Sequence, residues 1–153
     1  MEMRQIPMGD TDDQKTSNRP EVITLSFPAR ADLVVLARFT AATLGARAGF
    51  DVEEIEDLRL AVDELVVSFE AVQAGGTVQL RCTQSGTEVR IECTVEPGSD
   101  ANPNQGIAGG ELWGADGELS KQLLDALVDE HGREHRDGRP CVWLRKQRAH
   151  SGR

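Results

Sequence analysis

Apolar residues recur at helical spacing over positions 51–72, where Ile55, Leu58, Val62, Leu65, Phe69 and Val72 form one stripe and Glu53, Glu56, Arg59, Asp63 and Glu70 lie mostly away from it. The start of this helix is marked locally. Asp51 and Glu54 have the spacing of a capping box, and Phe50 and Ile55 that of a hydrophobic staple. A second row, Asp57, Ala61, Glu64 and Ser68, flanks the apolar stripe, so Glu64 and Ser68 look into one cleft beside the core. A carboxylate in that position is ordinarily solvated; partly desolvated, it suits general-base work.

Before this helix, 21–27 alternates Ile23, Leu25 and Phe27 against Val22, Thr24 and Ser26, as a half-buried strand does, and Pro28 stops it. A helix over 30–48 follows, with Leu33, Leu36, Ala37, Thr40, Ala41, Leu44 and Ala48 at helical spacing and Gly49 as its terminator. The short connection to the next helix predicts an antiparallel pair. After Gly75-Gly76, strands over 77–83 and 87–95 turn at Ser85-Gly86. Pairing Gln84 with Thr87 sets Cys82 opposite Val89, Leu80 opposite Ile91 and Val78 opposite Cys93, all on one face. Gln79, Arg81, Thr83, Glu88, Arg90, Glu92 and Thr94 fall on the other. A last helix over 118–129 carries Leu119, Leu123, Leu124, Leu127 and Val128 on one side. It leads into strands over 130–136 and 140–147 that turn at Asp137-Gly138, with Val142 and Leu144 facing the helices.

These elements predict a two-layer α/β (α+β) sandwich, a mixed, mostly antiparallel sheet with helices on one face. The polar stretch 1–20 reads as a disordered arm, 21–147 as one domain and 148–153 as a flexible tail. The Gly-, Asn- and Pro-rich loop 96–117 has no core period and holds Trp113, which needs a docking place on this domain or on a partner.

The run EDLRLAVDELVVS resembles the N-box helix of bacterial anti-sigma factors in the serine-protein-kinase branch of the GHKL (histidine kinase-like) ATPases. FPARADLVVLARFTAATLGARAGFD is similar to that family's first strand and helix, and LLDALVDEHGREHRDGRPCVWLRK to its last helix and strand pair, so the likeness spans 21–147. The resemblance implies a GHKL fold, ATP and magnesium as cofactors, a sigma factor and an anti-anti-sigma antagonist as partners, and a homodimer. It assigns Glu64 as the base that activates a serine of the antagonist. Ser68 stands where the family's magnesium-binding Asn is, and Glu96 and Gly98 stand at its adenine-recognising Asp-x-Gly. Glu118, Leu119, Ser120 and Lys121 occupy its Gly-Leu-Gly-Leu, where Lys121 would compensate in part for the lost phosphate contacts, and Pro140 replaces a threonine near the phosphates.

Composition narrows the classes. A net charge of −9 opposes binding to nucleic acid or anionic lipid and favours a basic protein surface. With no long apolar run and no signal-like start, a cytoplasmic protein is expected. Cys82 and Cys93, four residues apart along the expected ladder, sit roughly 13 Å from each other. With Cys141 they are expected as reduced, buried thiols. His131, His135 and His150 do not converge, and no Cys or His pair has ligand spacing. Two main readings follow: a regulator that sequesters a sigma factor through a degraded nucleotide site, or an active ATP-dependent serine kinase acting on an antagonist. A GHKL-fold module with a non-sigma partner is the third.

Overall fold

The computed structural model describes residues 19–70, 75–98 and 117–150. Its chain order is β1 (Glu21–Pro28), a 3-10 turn (Ala31–Leu33), α1 (Val34–Arg47), α2 (Val52–Glu70), β2 (Thr77–Ser85), β3 (Glu88–Glu96), α3 (Gly117–Leu127), β4 (Glu130–Arg136) and β5 (Arg139–Gln147). The strands form one sheet in the order β1-β2-β3-β5-β4, with every pairing antiparallel. Three helices pack on one face, in keeping with a GHKL-like α+β sandwich. Most of the expected arm and most of the loop with Trp113 lie outside the described residues.

The start of α2 is as its sequence predicts. Asp51 Oδ1 accepts the Glu54 amide at 2.8 Å, and Glu54 Oε2 accepts the Asp51 amide at 2.9 Å. Phe50 and Ile55 both pack against Gly45, where an added Cβ would meet them at 3.2 and 3.3 Å. Gly49, with φ 81°, ends the preceding helix in the left-handed region. From this start α2 buries Leu58, Ala61, Val62, Leu65 and Val66 against the sheet. Leu60 and Val67 remain half exposed on its outer side.

The hairpin register differs from the expected one by two residues. Ser85 pairs with Glu88, so the loop is Gly86-Thr87, and Cys82 lies opposite Ile91 and Leu80 opposite Cys93. The cause is the turn itself. A two-residue hairpin loop needs positive φ at its first position, which Gly86 supplies at 56° and Ser85 would adopt only under strain. Because side chains alternate with period two, a shift of two leaves every residue on its expected face. Cys82 and Cys93 are therefore two residues apart along the ladder instead of four, and with Cys141 they are buried free thiols.

The helical faces also need correction. In α1 the buried residues include Val34, Ala37, Ala41 and Leu44, while Leu36 is exposed because one residue's step around the helix from Ala37 carries it off that stripe. Of the expected stripe, Leu124 in α3 and Val128 just beyond it are buried, and Leu119 and Leu123 face outward. Five apolar residues on a short helix exceed what one narrow contact with α2 and β4 can cover. The β4–β5 turn falls at Asp137-Gly138 as expected, and Val142 and Leu144 enter the core.

Candidate functional site

Two carboxylates define the chemistry of this fold, one on each side of the sheet. On the helix side, α2 presents Glu64 at the margin of its buried stripe, one position before the fully buried Leu65. α3 packs beside it, and the Ser120 hydroxyl in the first turn of α3 donates to Glu64 Oε2 at 2.8 Å. Both residues are partly buried and 56 positions apart, so no local pattern in the chain announces the pair. A serine hydroxyl hydrogen-bonded to a carboxylate is the arrangement in which a base takes a proton from an alcohol. Here the alcohol belongs to the same chain.

Glu96 and Gly98, also singled out from the sequence, make other contacts. Glu96 lies on the even-numbered side of β3, away from the helices, and accepts a hydrogen bond from Arg139 at 2.6 Å. Gly98 runs against backbone, since an added Cβ would lie 2.3 Å from the Gly75 carbonyl oxygen; its small size is required by that crossing. Lys121 is exposed on α3, beside Ser120. Ser68 belongs to α2, and its side chain lies outside the described residues. Among the described residues no group of three or more His, Cys, Asp or Glu side chains can hold a metal ion. Of the residues that the resemblance assigns to magnesium ATP, Glu64 accepts a hydrogen bond from Ser120 and Glu96 one from Arg139 of the neighbouring part of the sheet.

On the open face of the sheet, Glu92 is nearly buried and receives Arg136 at 2.7 Å and Arg90 at 3.1 Å, with Arg81 at 3.7 Å. Burial pushes its carboxyl up, but the hydrogen bonds from Arg136 and Arg90 outweigh that effect and hold it below the ordinary carboxylate value. Arg90 also stacks on Trp143, with its guanidinium 4.3 Å from the ring centroid. A recess of about 540 Å³ opens here, lined by Gln79, Arg81, Glu92, Arg136, Arg139 and Cys141 among others. The sequence placed Arg81, Arg90 and Glu92 on this face through the hairpin alternation; Arg136 arrives from β4, which no pattern in β3 reveals.

A five-stranded antiparallel sheet covered by helices on one face only, with a carboxylate-bearing central helix meeting the last helix, defines the class as an α+β sandwich of the GHKL-like kind. Within that class, the chain is similar to curated serine-protein kinases named RsbW. It is 36% identical over 75 residues to that of Listeria innocua and 44% identical over 75 residues to that of Listeria monocytogenes serotype 4a, each match covering 45% of this chain and 48% of the relative. The protein of the same name from Halalkalibacterium halodurans is 32% identical over 65 residues, 41% of this chain and 40% of the relative. The chain thus spans about half the length of the curated relatives it matches. No family profile matches it. No helix among the described residues is long and apolar enough to cross a membrane.

Proposed function

We propose that this chain is an anti-sigma regulator that holds a sigma factor away from RNA polymerase and is displaced by partner switching with an anti-anti-sigma antagonist. It acts in the cytoplasm, as a homodimer, through protein contacts and not through nucleic acid or membrane. Its nucleotide site is degraded, so steady phosphate transfer is weak or absent. The observation that carries this reading is the engagement of Glu64 by the chain's own Ser120 beside a continuous core. Ser68 in place of an asparagine points the same way, because a lone hydroxyl is a poorer magnesium anchor than an amide carbonyl held in octahedral geometry. The net charge of −9 suits a basic protein surface as partner.

The test is capture of partners from the source cell with the tagged chain, followed by mass spectrometry. A sigma factor and its antagonist are the expected companions; recovery of an unrelated protein alone would replace the reading with a GHKL-fold module of another pathway. The second reading, an active serine kinase, is favoured by the name of the relatives, serine-protein kinase, and by Glu64 standing at the partly buried margin of α2. Transfer of phosphate from magnesium ATP to the captured antagonist, abolished by Glu64→Gln, would establish it.

A further inference from the structure

The recess on the open face of the sheet is a consequence of side-chain length. Gln79, Thr94 and Cys141 stand in register on β2, β3 and β5, and Thr94 and Cys141 are too short to fill the space above the strands. Longer neighbours form the walls: Arg81 from β2, Arg136 from β4 and Arg139 from β5. Arg136 and Arg139 are direct partners in the β4–β5 ladder, a placement of like charges that costs stability unless negative charge lies beside them. Glu92 and Glu96 meet part of that need. Each guanidinium has five N–H donors, however, and the carboxylates engage one terminal nitrogen of each. Nη2 of Arg136 meets Glu92 and Glu134, Nη1 of Arg139 meets Glu96, and Nη1 of Arg81 stays 3.7 Å from Glu92. The side chains of Arg81, Arg136 and Arg139 are 58%, 43% and 50% exposed, so the rest of their donors reach solvent.

The walls set the chemistry of a ligand. Guanidinium forks match the oxygens of carboxylates and phosphates. A carboxylate offers two oxygens in one plane, whereas a phosphate monoester offers three in a tetrahedral array, suited to arginines that arrive from three strands. A volume of about 540 Å³ lies in the range of small-molecule pockets and exceeds what a bare anion fills. At the floor, the Gln79 amide and the Thr94 hydroxyl can both donate to and accept from the hydroxyls of an ester group. Three arginines against the carboxylates of Glu92 and Asp137 leave the lining positive on a chain whose overall charge is −9. We propose that this recess binds a small phosphate monoester, of the size of a sugar phosphate, with its phosphoryl group among Arg81, Arg136 and Arg139. The site lies across the sheet from Glu64 and Ser120 and does not depend on the chain's being an anti-sigma regulator.

The experiment is calorimetric titration of the full chain with glucose 6-phosphate, inorganic phosphate, succinate and glucose, each to millimolar concentration. Wild type is compared with Arg81→Gln, Arg139→Gln and Arg59→Gln, the last removing the same charge from α2 on the helix side. Circular dichroism checks that each variant is folded. Glucose 6-phosphate is expected to bind saturably and more tightly than inorganic phosphate, with succinate and glucose inert. Arg81→Gln and, independently, Arg139→Gln should each weaken it about tenfold, and Arg59→Gln should leave it unchanged. Absence of saturable binding by both phosphates overturns the site. Equal binding of succinate overturns the choice of a phosphoryl group, and equal affinity for inorganic phosphate overturns the ester. Equal weakening in Arg59→Gln reduces the effect to overall charge and overturns the recess as its seat.

Discussion

Glu92 and Glu64 are both carboxylates withdrawn from solvent, yet they sit in opposite situations. Glu92, on the open face of the sheet, is surrounded by Arg81, Arg90 and Arg136, and the strands that carry these arginines are themselves held by ladder hydrogen bonds. Glu64, on the helix side, meets the Ser120 hydroxyl across a seam between two helices. The first is fixed by several charge-assisted bonds on a rigid support, whereas the contacts of the second include a neutral donor on an element that packs more lightly. A buried carboxylate with redundant cationic partners serves structure; one that meets a hydroxyl across a partly buried helix seam is placed for a function.

The difference can be broken or sharpened by substitution. Leu65→Ala, directly beside Glu64 in the buried stripe, sets the scale: a loss of about 3 kcal/mol is expected in urea unfolding, from lost transfer energy and the cavity left behind. Glu92→Ala should follow at about 2 kcal/mol, the range for hydrogen bonds to a charged group. The pH dependence of this second loss has a definite sign. Because the folded pKa of Glu92 is depressed, its contribution is fully present above the ordinary carboxylate range and is lost as pH falls through the depressed value. Thermal unfolding measured from neutral pH into the acid range should show a steeper acid decline for wild type than for Glu92→Gln; parallel curves would remove Glu92 from the structural role.

Smaller effects test the local and the displaceable contacts. Asp51→Ala should cost about 1 kcal/mol by removing the cap of α2, measured by the same urea titration. Ser120→Ala should cost less than about 1 kcal/mol, since it removes a neutral donor from a partly exposed hydrogen bond to Glu64. A loss as large as that of Glu92→Ala would make the Ser120–Glu64 contact a structural one and end the contrast. At the low end, the thiols should be silent in the folded state: burial pushes the Cys82 thiol up to about 12 and raises Cys93 as well. An aromatic disulfide reagent at neutral pH should label them only after denaturant is added.

Much of the fold is legible residue by residue. The capping box at Asp51 and Glu54, the staple at Phe50 and Ile55, and the alternation of Val78, Leu80 and Cys82 against Gln79 and Arg81 are local arrangements, and each appears where its spacing places it. The hairpin register was missed because two adjacent loop placements preserve the same alternation, and only the φ required of Gly86 separates them. The stripe of α3 was overextended because periodicity tells which residues share a side, not how wide a neighbour covers that side. At the candidate site Glu64 was legible from its helix and from resemblance, whereas Ser120 was not tied to it.

The sequence by itself determined the elements, the capped start of α2, and the inward and outward residues of the β2–β3 hairpin, because these depend on contacts within a few residues and on periods of 2 and 3.6. It also determined that Glu64 would stand at the margin of α2. What it left open, the tertiary structure decided: that Ser120 closes on Glu64, that Glu96 turns to the opposite face and meets Arg139, and that Arg136 joins Arg90 and Arg81 around Glu92. Each of those pairings joins residues on separate elements, through distances set by how the helices and strands pack, and such distances are not written in any local pattern of the chain.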